Sequence, residues 1–312
     1  MSIPSFTRLI RFVPKSDTSK ICIGEPELGS IDVGRALRQH EEVAAILWSG
    51  TSVLAPGVKT EQRELVDRVL SPVASTQVVI NLHAVRSSLL VLTVVPSMSN
   101  TQERLELNFH RYLLSFCSGL TRPCHSKPSD SLGDPWPAPV VLPAITKADG
   151  TGDYEAELAV IIGKACKNVT EAEAMDYVLG YTACNDVSSR ASQFAQSQWC
   201  FSKGFDGSCP IGPTLVSKSL IPDPSKLRIR GLKNGDVMQD CQTDDLIFSI
   251  GKIVSFLSQG TTLPAGTVII TGTPAGVGTG RNPKVNLEEG EDFAVEIMPH
   301  IGTLVNAFEY EK

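Results

Sequence analysis

The amino-acid sequence predicts a folded, β-rich protein of the α+β class. Of its 312 residues, 42% are apolar and 20% are charged, which is ordinary for a chain that buries a core. The 25 glycines and 20 prolines favour many turns, as in β and α+β proteins, over a helical bundle. Several short segments also alternate polar and apolar residues, which is the period of a strand.

Composition and charge exclude several classes of protein. The net charge of −6 argues against broad electrostatic binding to nucleic acid or to an anionic membrane. The longest apolar stretch, residues 89–95, is far shorter than the ~18 residues of a membrane span. The eight cysteines contain no C-x-x-C pair, so a structural zinc site is not expected. We expect reduced cysteines and a cytoplasmic protein, with a mitochondrial location as the alternative because the first residues are basic.

The N-terminal part predicts two regions. Residues 1–70 are expected to form a small α+β domain with strands at 7–13 and 20–24. In the same domain, apolar residues recur every three or four positions at 33–47 and 60–70, which predicts two helices. Residues 71–135 show no sustained period and become rich in Pro, Ser and Gly, so they are expected to form a lid or linker.

The remaining residues, 136–312, are expected to form the largest region of the chain. Their first half predicts a strand at 153–163, a short helix at 170–180 and a second strand at 181–186. Thr170 and Glu173 have the spacing of a capping box at the start of that helix.

The second half of this domain contains four further predicted elements. Residues 227–240 predict a β-hairpin, because Asn234-Gly235 suits a type I′ turn. An amphipathic helix is predicted at 245–260, followed by a buried strand that enters a glycine-rich loop at 267–280. An antiparallel pair of strands, 293–298 and 303–310, is expected to close the fold.

Three acidic residues alternate along the first predicted strand of the region 136–312. Asp153, Glu155 and Glu157 would therefore point to one face of it. The strand continues into the apolar run 158–162, where unpaired carboxylates are costly. A hard divalent cation such as Mg²⁺ resolves this conflict, since it prefers oxygen ligands. The alternative is an acidic strand end that is solvated.

The end of the next predicted strand supplies a third carboxylate and a cation. Asp186 is the natural third metal ligand, since a crossover of about 20 residues brings its strand back beside the first. Arg190 and Gln193 follow it with the spacing of one helical turn. An arginine at this place can hold a substrate carboxylate with two hydrogen bonds. The alternative is that Arg190 only balances the acidic residues.

Two loops carry further candidate residues. Lys203 lies between aromatic residues and glycines, and a loop lysine of this kind is most often solvated. The loop 271–278 could cradle an anion with its backbone N–H groups and the Thr273 hydroxyl. It lacks the G-x-x-x-x-G-K-[ST] pattern, so no nucleotide P-loop is predicted.

Taken together, these segments resemble the fumarylacetoacetate hydrolase family, and most closely its acylpyruvase and oxaloacetate decarboxylase or tautomerase members. The resemblance rests, in order and spacing, on DYEAELAVIIG, GYTACNDVSSR with Gln193, SKGFD, NGDVMQD and FLSQGTTLPAGTVIITGTPAGVG. It implies a mixed β-sandwich roll, in which residues 136–312 form the catalytic domain, and a small N-terminal α+β domain. It further implies a homodimer with the active site at the end of the roll.

The resemblance also implies a chemistry. The substrate would be a small 2-keto or 1,3-dicarbonyl acid, which is hydrolysed at a C–C bond, decarboxylated or tautomerised through a metal-bound enolate. The cofactor would be Mg²⁺, with Mn²⁺ or Ca²⁺ as alternatives. The resemblance gives roles to seven residues. Glu155, Glu157 and Asp186 would bind the metal, and Arg190, Gln193 and Thr273 would contact the substrate. Lys203 would be the catalytic residue.

The family's lid, in which a histidine oriented by a glutamate activates water, has no counterpart in this sequence. Residues 78–126 stand in its place, with His83, His110 and His125 as candidate bases and Glu106 one helical turn before His110. Hydrolysis needs such a base, so its absence favours decarboxylation over hydrolysis. The segment is either a divergent lid or an error in the gene structure. A protein that keeps the fold only for a structural or binding role is the remaining alternative.

Overall fold

The fold was examined in a computed structural model, which describes residues 4–27, 32–75, 89–91 and 125–312. Strands dominate the described residues, as the sequence predicts. In chain order the strands are β1 Arg8–Pro14, β2 Cys22–Pro26, β3 Ala44–Trp48, β4 Lys59–Leu70, β5 Leu89–Val91, β6 His125–Lys127, β7 Leu132–Gly133, β8 Val140–Leu142, β9 Gly152–Asp153, β10 Ala156–Ile162, β11 Val178–Asn185, β12 Ser188–Ser189, β13 Cys209–Ser217, β14 Arg228–Lys233, β15 Asp236–Gln242, β16 Val268–Ile270, β17 Asp292–Met298 and β18 Gly302–Tyr310.

The helices are short. They are α1 Val33–Arg38, α2 Ala144–Asp149, α3 Glu171–Ala174, α4 Arg190–Phe194, α5 Cys200–Lys203 and α6 Ile250–Leu257. Across the described ranges, none of the helices has the length and apolar character needed to cross a membrane.

Two large sheets form the body of the protein. The first has the strand order β2-β3-β4-β1-β13-β11-β10-β16-β5-β6, and β7 pairs with β13 at its side. The second has the order β15-β14-β17-β18-β8. Both sheets are mixed, because β16 runs parallel to β5 and β18 runs parallel to β8, while the other neighbours along these orders are antiparallel.

The strand β10 is buried on both of its faces. Leu158 and Val160 belong to the core cluster that also contains Val295 of the second sheet. Ala159 and Ile161, which point the other way, belong to a second cluster. This double burial fixes the register of β10, since a slip by one residue would exchange the two faces.

The N-terminal region contains one correct and one wrong set of predictions. The strands predicted at 7–13 and 20–24 are confirmed as β1 and β2. The helix predicted at 33–47 is wrong beyond its first half, because α1 ends at Arg38 and residues 44–48 form β3. The helix predicted at 60–70 is wrong, because these residues form β4 between β1 and β3.

A bulge in β4 explains the misleading period. Val13 pairs with Arg68, and Pro14 pairs with Val66, so Asp67 is an extra residue in the ladder. The bulge places Val66 and Val69 in one core cluster although they are three residues apart. Apolar residues three positions apart also occur on one face of a helix, so the spacing in this strand predicted a helix.

The strand β1 joins the N-terminal residues to the rest of the chain. It pairs with β4 on one side and with β13 on the other, so β1 to β4 extend the first sheet. The helix α1 contacts β18, where the Asp32 carboxylate accepts hydrogen bonds from the Thr303 backbone and hydroxyl. The division of the chain at residues 70 and 135 stays a prediction.

Local signals in the catalytic part are largely confirmed. Asn234 and Gly235 have φ values of 50° and 86° and connect β14 to β15, as the type I′ prediction requires. The capping box of Thr170 and Glu173 is present, but α3 ends at Ala174 and residues 178–180 already belong to β11. The predicted helix at 245–260 is shorter, with Ser249 as the N-cap of α6. The pair β17 and β18 closes the second sheet.

Candidate active site

The ends of β10 and β11 bring three carboxylates together. The two strands are antiparallel neighbours in which Ala156 lies opposite Asn185. The Asp186 N–H donates to the Glu155 carbonyl oxygen at 2.9 Å, so the third predicted ligand lies directly beside the first. The structure places Asp186 beside Glu155 as expected, but the two strands are antiparallel and residues 163–177 join them in place of the predicted crossover of about 20 residues.

Glu155, Glu157 and Asp186 form a compact acidic group. One oxygen atom of each carboxylate lies within 4.8 Å of those of the other two, and all three side chains are buried. The alternative of a solvated acidic strand end therefore does not hold. Three buried carboxylates at this distance can share one hard cation, because such an ion takes its ligands from oxygen atoms.

The Lys203 ammonium contacts two of the three carboxylates of this group. It donates to Glu155 Oε2 at 2.9 Å, to Asp186 Oδ2 at 2.7 Å and to the Ser188 hydroxyl at 2.6 Å. Lys203 is fully buried, so the alternative of a solvated loop lysine does not hold. All three ammonium protons have partners, which fixes the position of the charge.

A second buried lysine, Lys127, contacts Asp186 from the other side. Its Nζ donates to Asp186 Oδ1 at 2.5 Å and reaches the Ser208 carbonyl oxygen at 3.5 Å. Burial opposes the charge of Lys127, but the nearby Asp186 carboxylate outweighs it and raises the pKa of the ammonium. Lys127 is not among the site residues predicted from the sequence.

Arg190 connects the acidic group to a neighbouring loop. Its Nε donates to Asp153 Oδ2 at 2.8 Å, and its Nη1 donates to Glu155 Oε1 at 2.6 Å and to Gln193 Oε1 at 2.8 Å. Asp153 also accepts from the Gly278 N–H, so it anchors the loop and lies outside the acidic group of three. Arg190 Nη2 is buried without a partner among the described residues, which leaves one donor for a substrate oxygen.

The charges of the site do not balance among the described side chains. Four carboxylates, including Asp153, face three cations, which are Lys127, Arg190 and Lys203. Burial opposes ionisation of Glu155 and Asp186, but their lysine and arginine partners lower both pKa values. Burial, Asp186 and Glu155 raise the pKa of Glu157 well above its usual range.

Glu157 is thus the carboxylate without a counter-charge. Its Oε2 accepts from the Gly272 N–H at 2.6 Å, whereas its Oε1 is buried with no partner among the described residues. A buried carboxylate oxygen that lacks a donor needs either a proton or a cation.

The loop after β16 completes the described site. Gly272, at φ 100°, directs its N–H to Glu157, and the next residue is Thr273. The Thr273 hydroxyl accepts from Gln239 Nε2 at 2.7 Å. The structure therefore brings the predicted loop beside the predicted metal ligands. Gln239, on β15, is a further site residue that the sequence did not predict.

The predicted lid residues are outside the described part of the chain. This applies to His83, Glu106 and His110, and also to the side chain of His125, whose backbone forms β6. Among the side chains that are described, no histidine forms a hydrogen bond with the acidic group.

Comparison with known proteins identifies relatives of this arrangement. Residues 116–309 match the family profile described as fumarylacetoacetate (FAA) hydrolase C-terminal. The chain is 37% identical to a caffeoylpyruvate hydrolase of Neonothopanus nambi over 327 aligned positions, covering 99% of this chain and 95% of that protein. It is 44% identical to the oxaloacetate tautomerase YisK of Bacillus subtilis over 154 positions, covering 49% and 51% of the two chains.

A solved structure shows that the likeness extends to the fold. The X-ray structure of a 5-carboxymethyl-2-hydroxymuconate delta-isomerase from Mycobacterium smegmatis superposes with a TM-score of 0.71 at 26% sequence identity. The superposition covers 98% of this chain and 99% of that one. The N-terminal strands and the two large sheets therefore belong to one shared architecture.

Proposed function

Because the chain belongs to the fumarylacetoacetate hydrolase family and has its fold, we propose that it is a divalent-metal-dependent enzyme for small 2-keto or 1,3-dicarbonyl acids. The observation that carries this proposal is the buried group of Glu155, Glu157 and Asp186 with two lysines against it. A protein with only a structural role would have no need for such a costly group of charges.

The residues fit a hard divalent cation. The donors are carboxylate oxygens, which Mg²⁺ and Mn²⁺ prefer. Glu157 Oε1 is a buried acceptor that lacks a partner among the described residues, and the described charges leave one carboxylate unbalanced. We propose that Glu155, Glu157 and Asp186 hold one Mg²⁺, with Mn²⁺ or Ca²⁺ as substitutes. When bound, the ion would supply Lewis acidity towards the carbonyl oxygens of the substrate.

The protein's own side chains would orient the substrate and stabilise its developing charge. Arg190 Nη2 is available to a substrate carboxylate, and Gln193 holds the guanidinium in place. Breaking a C–C bond next to a keto group leaves the bonding electron pair on an enolate. Lys203 and Lys127 bring two fixed positive charges to this place, and charges fixed in advance commonly contribute the largest share of catalysis.

We propose hydrolysis of an acylpyruvate as the first reaction to test. A caffeoylpyruvate hydrolase aligns with 99% of the chain, whereas the oxaloacetate tautomerase aligns with 49%. Tautomerisation of oxaloacetate is the second candidate, because it needs enolate stabilisation but no attacking water. The base for hydrolysis would come from residues 78–126, where His110 is the proposed candidate.

The assay compares two substrates with one Mg²⁺-loaded sample. Loss of the absorbance of acetylpyruvate would report hydrolysis, and decay of the enol absorbance of oxaloacetate would report tautomerisation. EDTA should abolish both activities, and Glu157→Gln should lower them strongly. Turnover that persists in EDTA would contradict the proposed metal dependence. Activity on oxaloacetate alone would favour the tautomerase candidate.

The predicted homodimer and the cytoplasmic location remain proposals. Sedimentation of the purified protein would test the dimer, since one or two copies differ twofold in mass. Imaging of the full-length protein in cells would decide between cytoplasm and mitochondrion.

A further inference from the structure

We infer that Gln239 is a positioning residue, which fixes the Thr273 hydroxyl as a hydrogen-bond donor towards the substrate. The inference deepens the proposed function and rests on it. Gln239 is the one fully buried residue of β15, a strand whose other side chains are exposed or half-buried. A buried amide on such an edge strand requires partners, and its partners lie in the active site.

The orientation of the Gln239 amide is unambiguous. Its Oε1 accepts from the Ala156 N–H at 3.0 Å, and a backbone N–H can only donate. Its Nε2 donates to the Pro274 carbonyl oxygen at 2.8 Å, and a carbonyl can only accept. The two contacts agree, so the group facing the Thr273 hydroxyl at 2.7 Å is the amide NH₂.

The direction of this bond determines what Thr273 can do. A hydroxyl has one proton and two lone pairs. Because Gln239 donates to it, the Thr273 oxygen is an acceptor in this contact and its proton stays available. Within the described ranges, the Thr273 proton has no acceptor. The neighbouring Gly272 N–H is bonded to Glu157, so Thr273 lies at the acidic group, where the substrate oxygens would bind.

The surroundings of Gln239 leave it little freedom. Gly231 lies opposite it in the hairpin, and a Cβ at Gly231 would lie 2.8 Å from Gln239 Oε1 and 2.7 Å from Phe293. A glycine at this position therefore makes room for the amide. The Gln239 side chain forms three hydrogen bonds, and all of them go to elements outside its own hairpin. One goes to β10 and two go to the loop after β16. The amide thus links the metal-binding strand to the substrate-binding loop.

A double-mutant cycle on Gln239 and Thr273 tests the inference. Gln239→Met keeps the length of the side chain, and Thr273→Val keeps its shape. The probe is oxalate, a planar dianion similar to the enolate of pyruvate, titrated by calorimetry against the Mg²⁺-loaded protein. Each single variant should weaken oxalate binding about tenfold, which is the usual effect of one lost hydrogen bond to a charged group. The double variant should be no weaker than Thr273→Val alone, because both changes remove the same interaction.

Two further variants make the result decisive. Thr273→Ser retains a hydroxyl and should bind oxalate within about threefold of the wild type. If Gln239→Met does not fold, Gln239→Glu replaces it in the same cycle, since it keeps the size of the side chain and can accept from Ala156. If the losses of oxalate affinity add, so that the double variant binds oxalate about a hundredfold more weakly than the wild type, Gln239 acts only by supporting the loop. That result would overturn the inference.

Failure of the proposed function would give a different result. A wild-type protein that neither binds oxalate nor turns over a keto acid would contradict the proposed function itself. A wild-type protein that does both, with Gln239→Met binding oxalate normally, would overturn only the role of Gln239.

Discussion

Replacing Lys203 by methionine would remove a buried positive charge on which two carboxylates depend. The Lys203 ammonium donates to Glu155 and Asp186 at 2.9 and 2.7 Å, and none of the three side chains is more than 2% exposed. Each carboxylate keeps one other cation in the variant, because Arg190 contacts Glu155 and Lys127 contacts Asp186. The variant would therefore be weakened but should still fold.

The size of the effect follows from these contacts. Removing one partner of a buried ion pair costs about 3–5 kcal/mol, and the remaining cations favour the lower end of that range. Unfolding entropy of about 2.1 cal/mol/K per residue gives roughly 0.65 kcal/mol/K for 312 residues. A cost of about 3 kcal/mol then lowers Tm by about 5 °C. Loss of a charge that stabilises the enolate should lower kcat by a further ~10²–10³-fold.

Thermal melting and steady-state kinetics on the same sample test this prediction. Lys226→Met is the matched control, since its side chain is 81% exposed and its contact with Asp223 lies at the surface. Such a pair contributes about 0–1 kcal/mol, so Tm should fall by less than ~2 °C with kcat unchanged. If Lys203→Met melts within 1 °C of the wild type and turns over normally, the electrostatic account of the site is wrong.

Three further outcomes are expected. Calorimetry with Mn²⁺ should show about one binding site per chain. Glu157→Gln should weaken Mn²⁺ binding by at least ~tenfold, whereas the control Glu61→Gln, at an exposed position of β4, should not. Equal Mn²⁺ affinities of the two variants would contradict the assigned ligands. Gly235→Ala should cost about 1 kcal/mol in urea unfolding, because φ is 86° there, and an unchanged midpoint would exclude the type I′ turn. Burial and nearby aspartates raise the pKa of the Cys241 thiol to about 12. The rate of Cys241 alkylation, measured by peptide mapping, should therefore rise about tenfold per pH unit between pH 8 and 10. An alkylation rate that does not depend on pH would refute this prediction.

Elements with a local physical cause could be predicted from the sequence. The Asn234-Gly235 turn and the capping box at Thr170 depend on residues within a few positions of each other, and both are confirmed. The strand at 60–70 depends instead on its neighbours β1 and β3 and on a bulge at Asp67. A single sequence contains no local signal for such a bulge, so its apolar spacing indicated a helix.

The same distinction applies to the site. Glu155 and Glu157 could be predicted because the strand period places them on one face, and Asp186 because it ends the next predicted strand. Lys127 could not, because it lies 59 residues before Asp186 and follows a segment without a clear period. Gln239 could not be predicted either, because only the fold shows that it is the buried residue of β15 and that Thr273 is its partner.

The balance of charges connects the metal and the substrate. Four carboxylates and three cations leave one negative charge among the described side chains of the site. A divalent ion would change this balance to one positive charge, and a substrate carboxylate would then neutralise it. Burial makes either unbalanced state costly, since charges interact strongly where water is excluded. With the proposed ion bound, an acid would therefore suit the site better than a neutral diketone, and Arg190 Nη2, which has no partner among the described residues, is the donor that such an acid would meet.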